Sequence, residues 1–186
     1  MPGLNRIVMN RTSRRWLRAL DLENMDIGEI SGQWGKGLGG RSYVSLRYPD
    51  YDICKGAFAD EQGRPLSFDL ILANQVWEHL DRPYAATRNV RGMLREGGYF
   101  WLAVPFFIPY HPAPQDCSRW SARGLKNLLI EGGFDAGQIR SGQWGNRQVA
   151  ARNLEEDWPP VYDPERDDLE NDHSFPICSW ALARKI

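Results

Sequence analysis

Apolar and polar positions fall in blocks along this chain, and the blocks predict strands separated by helices. The clearest block is residues 68–73, an apolar run of the kind a strand buried on both faces requires. It passes directly into Asn74, Gln75, Glu78 and His79. Residues 83–95 read as a helix: Asp81 is placed to cap it, Pro83 suits its first turn, and Gly97-Gly98 is placed to stop it. A second apolar run, 99–104, follows as a strand. Upstream, residues 13–20 set Trp16, Leu17 and Leu20 on one helical face. Residues 27–31 and 42–46 read as short strands on either side of a glycine-rich turn over 32–40, with 52–54 as a third, very short strand. Downstream, Ser121 caps a helix over 122–131 that Gly132-Gly133 ends. Residues 136–142 and 147–151 read as edge strands, 153–174 as a polar excursion, and 175–184 as a closing strand with Trp180 and Leu182 on one face. Strands alternating with helices predict an α/β layer fold with a mostly parallel sheet.

In such a sheet, ligands bind beyond the carboxyl ends of the strands. Residues 74–79 and 105–116 are therefore expected along one functional edge. The loop 105–120 holds four prolines, a histidine and an acid, and loops of that length usually carry function. The chain's 186 residues suit one domain spanning 1–186. A net charge of −1 gives no electrostatic case for nucleic acid or an anionic membrane. Charge is uneven: Arg6, Arg11, Arg14, Arg15 and Arg18 crowd the start, and residues 155–172 are acidic. Cys54, Cys117 and Cys178 lack the spacing of a disulfide framework or a zinc site, which fits a reducing compartment. With no signal-peptide core and no bilayer-spanning apolar run, a cytoplasmic location is expected. Ser-Gly-Gln-Trp-Gly occurs twice, at 31–35 and 141–145, but unlike flanks argue against a repeat architecture.

Residues 68–80 and 94–105, at this spacing, resemble the class I S-adenosylmethionine-dependent methyltransferases, particularly the small ones. The similarity runs over about 27–134, and the closing strand fits as well. Residues 111–134 are similar to the loop and helix of a subset that acts on small molecules or sugar-like substrates. The resemblance implies a Rossmann-like, mostly parallel seven-stranded sheet with helices on both faces and the last strand antiparallel. It also implies S-adenosyl-L-methionine as cofactor, with Glu29, Ser31, Gly32, Gly35, Asp52, Asn74 and Gln75 around it.

Three departures stand out. Ser31 and Gln33 occupy positions where the family has glycines, which permit close backbone approach to a ligand. Only about ten residues separate Gly32 from Ser42, so the first crossover helix must be shortened or absent. Arg47 stands where an acidic residue would grip the ribose hydroxyls, with Asp50 close by. The turn also lacks the pattern of a nicotinamide enzyme. These departures leave a second reading open, a catalytically inactive methyltransferase-like binding or scaffold domain.

Methyl transfer from a sulfonium is an in-line displacement that needs positioning and water exclusion more than a triad or a metal. A base is needed only where the acceptor loses a proton. His111 is the first candidate and His79 the second, with a packed structural role the alternative for His79. Tyr110, Asp116 and Arg119 are candidates for the acceptor side; Asp116 and Arg119 alternatively pair to stiffen their loop. Glu29 alternatively pairs with an N-terminal arginine, and Asp52 alternatively caps a turn. No metal site is read from the sequence, and a small-molecule acceptor is expected.

Overall fold

The computed structural model describes residues 3–155 and 158–186. Six strands form one sheet: β1 (Asp26–Ile30), β2 (Ser42–Leu46), β3 (Phe68–Asn74), β4 (Leu94–Pro105), β5 (Ile139–Trp144) and β6 (Cys178–Arg184). Their order is β2-β1-β3-β4-β6-β5. β2, β1, β3 and β4 run parallel, whereas β6 is antiparallel to both of its neighbours, as expected for the closing strand. Among the described residues the sheet has six strands instead of seven. The missing one is 52–54, which forms a turn in which the Asp52 carboxylate accepts from the Cys54 amide at 3.0 Å. That local side-chain bond competes with strand pairing.

Four helices cover the two faces: α1 (Leu4–Leu17), α2 (Pro83–Met93), α3 (Ala122–Glu131) and α4 (Arg147–Arg152). Alternation along the strands sends Ile71, Ala73, Phe100 and Leu102 into one core with Val90, Met93, Leu125 and Leu129 of α2 and α3. Leu70, Leu72, Trp101 and Ala103 enter the other core, with Leu4, Trp16, Leu17 and Val149 of α1 and α4. The crossover from β1 to β2 contains a single 3-10 turn, Trp34–Gly37, so the short spacing has indeed removed its helix.

Local chemistry explains the remaining differences. The first helix begins at Leu4, nine residues before the predicted start at 13, because buried Thr12 and Ser13 blur its apolar stripe. No Asp81 side-chain bond caps α2; Arg82 holds the N-cap position. Gly97 and Gly98 do not stop that helix, which ends at Met93. They lie within β4 beside a shift in its register against β3, with Gly97 at φ +80, and a Cβ on Gly98 would meet the Arg95 carbonyl at 2.9 Å. Residues 147–151 are helical, not extended: the Asn146 side chain accepts from the Val149 amide at 2.8 Å and caps α4. The two Ser-Gly-Gln-Trp-Gly copies differ, one entering a 3-10 turn and the other ending β5. The excursion after α4 is pinned by a buried Arg152–Asp167 ion pair at 2.7 Å; Glu156 and Asp157 of its acidic stretch lie outside the described residues.

Charge locks the amino-terminal end of the sheet. Asp26 of β1 accepts from Arg41, Ser42 and Arg95, and Asp69 of β3 accepts from Arg95 at 2.6 Å and from the Asp26 amide at 2.8 Å. The Arg41 guanidinium, foremost among these donors, holds the Asp26 carboxyl well below its usual range. The molecule opens at the other end of the sheet, where the strands have their carboxyl ends.

Candidate active site at the carboxyl ends of β1 and β3

A cavity of about 680 Å³ opens where β1, β2 and β3 end. Its walls are residues 30–33 after β1, Arg47, Tyr48 and 51–54 after β2, Gln75, Val76 and 79–81 after β3, and 113–115 of the proline-rich loop. The size lies within the ~300–1,000 Å³ typical of small-ligand pockets.

The first wall is built by Glu29. Its side chain is fully buried and accepts from the Trp34 amide at 2.9 Å, the Gly35 amide at 2.7 Å and the Tyr43 hydroxyl at 2.8 Å. The carboxylate is thus committed to shaping the turn and makes no ion pair with the N-terminal arginines. Burial and the Glu29 carboxylate together push the Tyr43 phenol above its usual range. Glycine at 32 and 35 leaves room for this arrangement: a Cβ at Gly32 would displace the Glu29 carboxylate, and one at Gly35 the end of the Leu72 side chain. Gly32 lines the cavity, whereas Gly35 lies behind it against Glu29.

Ser31 has φ +54, a left-handed conformation of the kind glycine adopts most readily. Gln75, at the same level after β3, has φ +57. Both line the cavity. Strained non-glycine residues of this kind cluster at functional sites. Gln33 has φ −141 and needs no glycine; its side chain is exposed on the wall, while Trp34 packs against the α1-side core and leaves the cavity unplugged.

Asp52 also lines the cavity, and its carboxylate caps the local turn, as one reading of it expected, and pairs with Lys55 at 3.3 Å. The Asn89 side chain donates to the Ile53 carbonyl at 2.7 Å and ties that turn to α2. Arg47 is on the wall, but Asp50 is not.

Other expected residues sit elsewhere. Asn74 shares the face of Leu70 and Leu72, so its carbonyl accepts from Trp101 at 2.8 Å on the α1 side, away from the cavity wall. Tyr110 is 75% exposed and does not line the cavity. Asp116 and Arg119 are likewise absent from the wall and bind each other in a bidentate pair, with Asp116 also accepting from the His111 amide at 2.9 Å. The Arg119 guanidinium holds the Asp116 carboxyl down at about 2.

His79 is on the cavity wall, with Nδ1 2.5 Å from the Gln115 carbonyl, while the Gln115 amide donates back to the His79 carbonyl at 2.6 Å. His111 stands beside it, ring centroids 4.9 Å apart and nearly perpendicular. Burial, and next the neighbouring His79, lower the His111 pKa, so its imidazole is neutral at neutral pH. Glu78, fully buried, adjoins the pair, with Oε1 3.8 Å from His79 Nε2. Residues 74–79 and 105–116 do meet along one edge, as expected, but Tyr51, Gln115 and Glu78 were not singled out within their segments, because nothing in their spacing shows which side chains face the cavity or one another.

Comparison with known proteins adds to this geometry. Residues 17–102 match the model of a methyltransferase domain family. No curated protein sequence matches the chain. Among solved structures, an S-adenosylmethionine-dependent methyltransferase from Mesorhizobium loti is similar with TM-score 0.60 at 15% identity, over 95% of this chain and 100% of that one. A second, from Archaeoglobus fulgidus, gives 0.58 at 13% identity over 97% and 94%. The O-methyltransferase from a trans-AT PKS multienzyme of Brevibacillus brevis, solved with S-adenosyl-L-homocysteine, gives 0.53 at 12% identity over 99% and 80%. At such identities the likeness establishes the fold.

Proposed function

We propose that this chain, whose residues 17–102 carry the methyltransferase-domain sequence within a class I S-adenosylmethionine-dependent methyltransferase fold, transfers a methyl group from S-adenosyl-L-methionine to a small-molecule acceptor. The observation that carries the reading is the open cavity bounded by two left-handed residues, Ser31 and Gln75, at the ligand-binding edge of the sheet. The turn that Glu29 organises receives the amino-acid part of the cofactor along residues 31–33, and Asp52 accepts from the adenine amino group. Val76, Leu80 and Ile53 supply apolar surface that excludes water.

The acceptor approaches past His79 and residues 113–115. Its nucleophilic atom attacks the methyl carbon, the carbon–sulfur bond breaks, and S-adenosyl-L-homocysteine leaves with the electron pair on sulfur. An acceptor hydroxyl or amine loses its proton in that step, and the neutral His111 imidazole takes it up. Asp116 and Arg119 act on the acceptor only by fixing the His111 loop. A small acceptor suits a cavity of this size, most of which the cofactor fills.

The test is transfer of labelled methyl from S-adenosylmethionine to a panel of hydroxylated and amine-bearing small molecules. Turnover of at least one, lowered on the order of a hundredfold in His111→Ala, supports the reading. Cofactor binding without transfer to any acceptor favours the inactive, binding-domain alternative.

A further inference from the structure

Beneath the cavity three groups meet that neither cofactor binding nor core packing requires. Glu78 is fully buried, and neither of its carboxylate oxygens receives a hydrogen bond from another described residue. Arg6 and Arg119 act on it only from a distance, and burial raises its carboxyl to about 7. Interior carboxylates are otherwise paired or bound to metals. The His79 Nε2 lies 3.8 Å from Glu78 Oε1. Because His79 Nδ1 faces the Gln115 carbonyl at 2.5 Å, the proton belongs on Nδ1 and the lone pair on Nε2. With the carboxyl ionised, two acceptor atoms thus face one another. His111 completes the group: one ligand atom from each of Glu78, His79 and His111 lies within 4.8 Å of the others.

We propose that Glu78, His79 and His111 bind a divalent transition-metal ion, with coordination positions left open toward the cavity. Two imidazoles and a carboxylate form a donor set suited to Zn²⁺, Co²⁺, Fe²⁺ or Mn²⁺. Bonds of about 2.0–2.2 Å place neighbouring ligand atoms about 3–3.6 Å apart, so the cluster must contract by about an ångström. His111, half-buried on a loop, supplies that movement by side-chain rotation. The surroundings are those of a supported site: the Gln115 carbonyl fixes the His79 ring, and the Asp116–Arg119 pair fixes the His111 backbone.

Metal binding stands independently of the methyl-transfer reading; what the ion does there rests on it. His79 belongs both to the cluster and to the cavity wall, so a donor atom of the acceptor is what would complete the coordination. Held by the ion, an acceptor hydroxyl or thiol gives up its proton to bulk water more readily, and with the ion bound His111 serves as a ligand and gives up the role of free base assigned to it above.

The experiment uses the full chain stripped with a chelator, titrated with Zn²⁺ by calorimetry and with Co²⁺ by visible absorption. Glu78→Gln and His111→Ala are measured alongside, with circular dichroism and S-adenosylhomocysteine affinity as readouts of the fold. The expected result is one ion per chain, Co²⁺ ligand-field bands, and affinity lowered tenfold or more in both variants. S-Adenosylhomocysteine affinity in His111→Ala should stay within about twofold of the unmodified chain, as expected for a residue outside the cofactor pocket. Absence of uptake, or uptake equal in the unmodified chain and in both folded variants, overturns the proposal. Ion binding without S-adenosylhomocysteine binding upholds it while rejecting the cofactor reading.

Discussion

Replacing Glu29 by glutamine should loosen the turn after β1 and, through it, the cofactor wall. In the folded chain its two oxygens serve three donors, the Trp34 and Gly35 amides and the Tyr43 hydroxyl, at 2.7–2.9 Å and in full burial. Glutamine keeps one oxygen for Trp34 but presents an NH₂ to the Gly35 amide, donor against donor. The Tyr43 hydroxyl can turn to accept from that NH₂; the Gly35 amide has no such recourse. Losing one charge-assisted bond and stranding one buried amide costs about 3 kcal/mol. At roughly 2–4 °C per kcal/mol for a chain of this size, Tm falls by about 6–12 °C. Differential scanning calorimetry reads that shift, and titration with S-adenosylhomocysteine should show affinity falling at least about tenfold, the equivalent of 1.4 kcal/mol. A Tm within about 2 °C of the unmodified chain, with affinity unchanged, would refute the role assigned to Glu29.

Ser31→Gly releases a left-handed cost of about 1–2 kcal/mol against an unfolded-state entropy cost of about 0.4–1 kcal/mol. Its Tm should therefore rise by a few degrees, and an unchanged or lower Tm counts against strain at this turn. Asp26→Asn tests the charged lock at the opposite end of the sheet. The folded-state carboxyl titrates below its unfolded value of about 3.9, so its contribution is complete above about pH 5 and is lost as pH falls through the folded value. The Tm difference between Asp26→Asn and the unmodified chain should be constant from about pH 5 to 8 and shrink below about pH 4; a difference that grows on acidification contradicts the assignment.

The parallel order of the sheet and its reversed last strand were legible because β3, β4 and β6 are long apolar runs buried on both faces, and α3 because Ser121 and its paired glycines punctuate it. The same rules misplaced Gly97-Gly98, since a double glycine serves a strand irregularity as readily as a helix end. Asp52 was taken for part of a strand because its competing turn bond to Cys54 is invisible to hydrophobic periodicity. At the site, Ser31, Gly32, Asp52, Gln75 and His79 converge because each follows a strand end. Asn74 diverges because strand alternation turns it to the other face, one residue from Gln75. Tyr110, Asp116 and Arg119 belong to a loop whose internal ion pair decided where its side chains point. The sequence placed the turn and that loop on one edge, but only the tertiary structure brings the Glu78 carboxylate against the two histidines.

The central claim is that the hollow between the ends of β1, β2 and β3 receives the sulfonium donor. Calorimetric titration of S-adenosylhomocysteine into the unmodified chain and into Asp52→Ala tests it most directly. The account predicts saturable binding of one ligand per chain, weakened on the order of tenfold or more when Asp52 is lost, as removal of one hydrogen bond to a buried polar partner requires. Silence in the first titration, or equal affinity in the two, would contradict it.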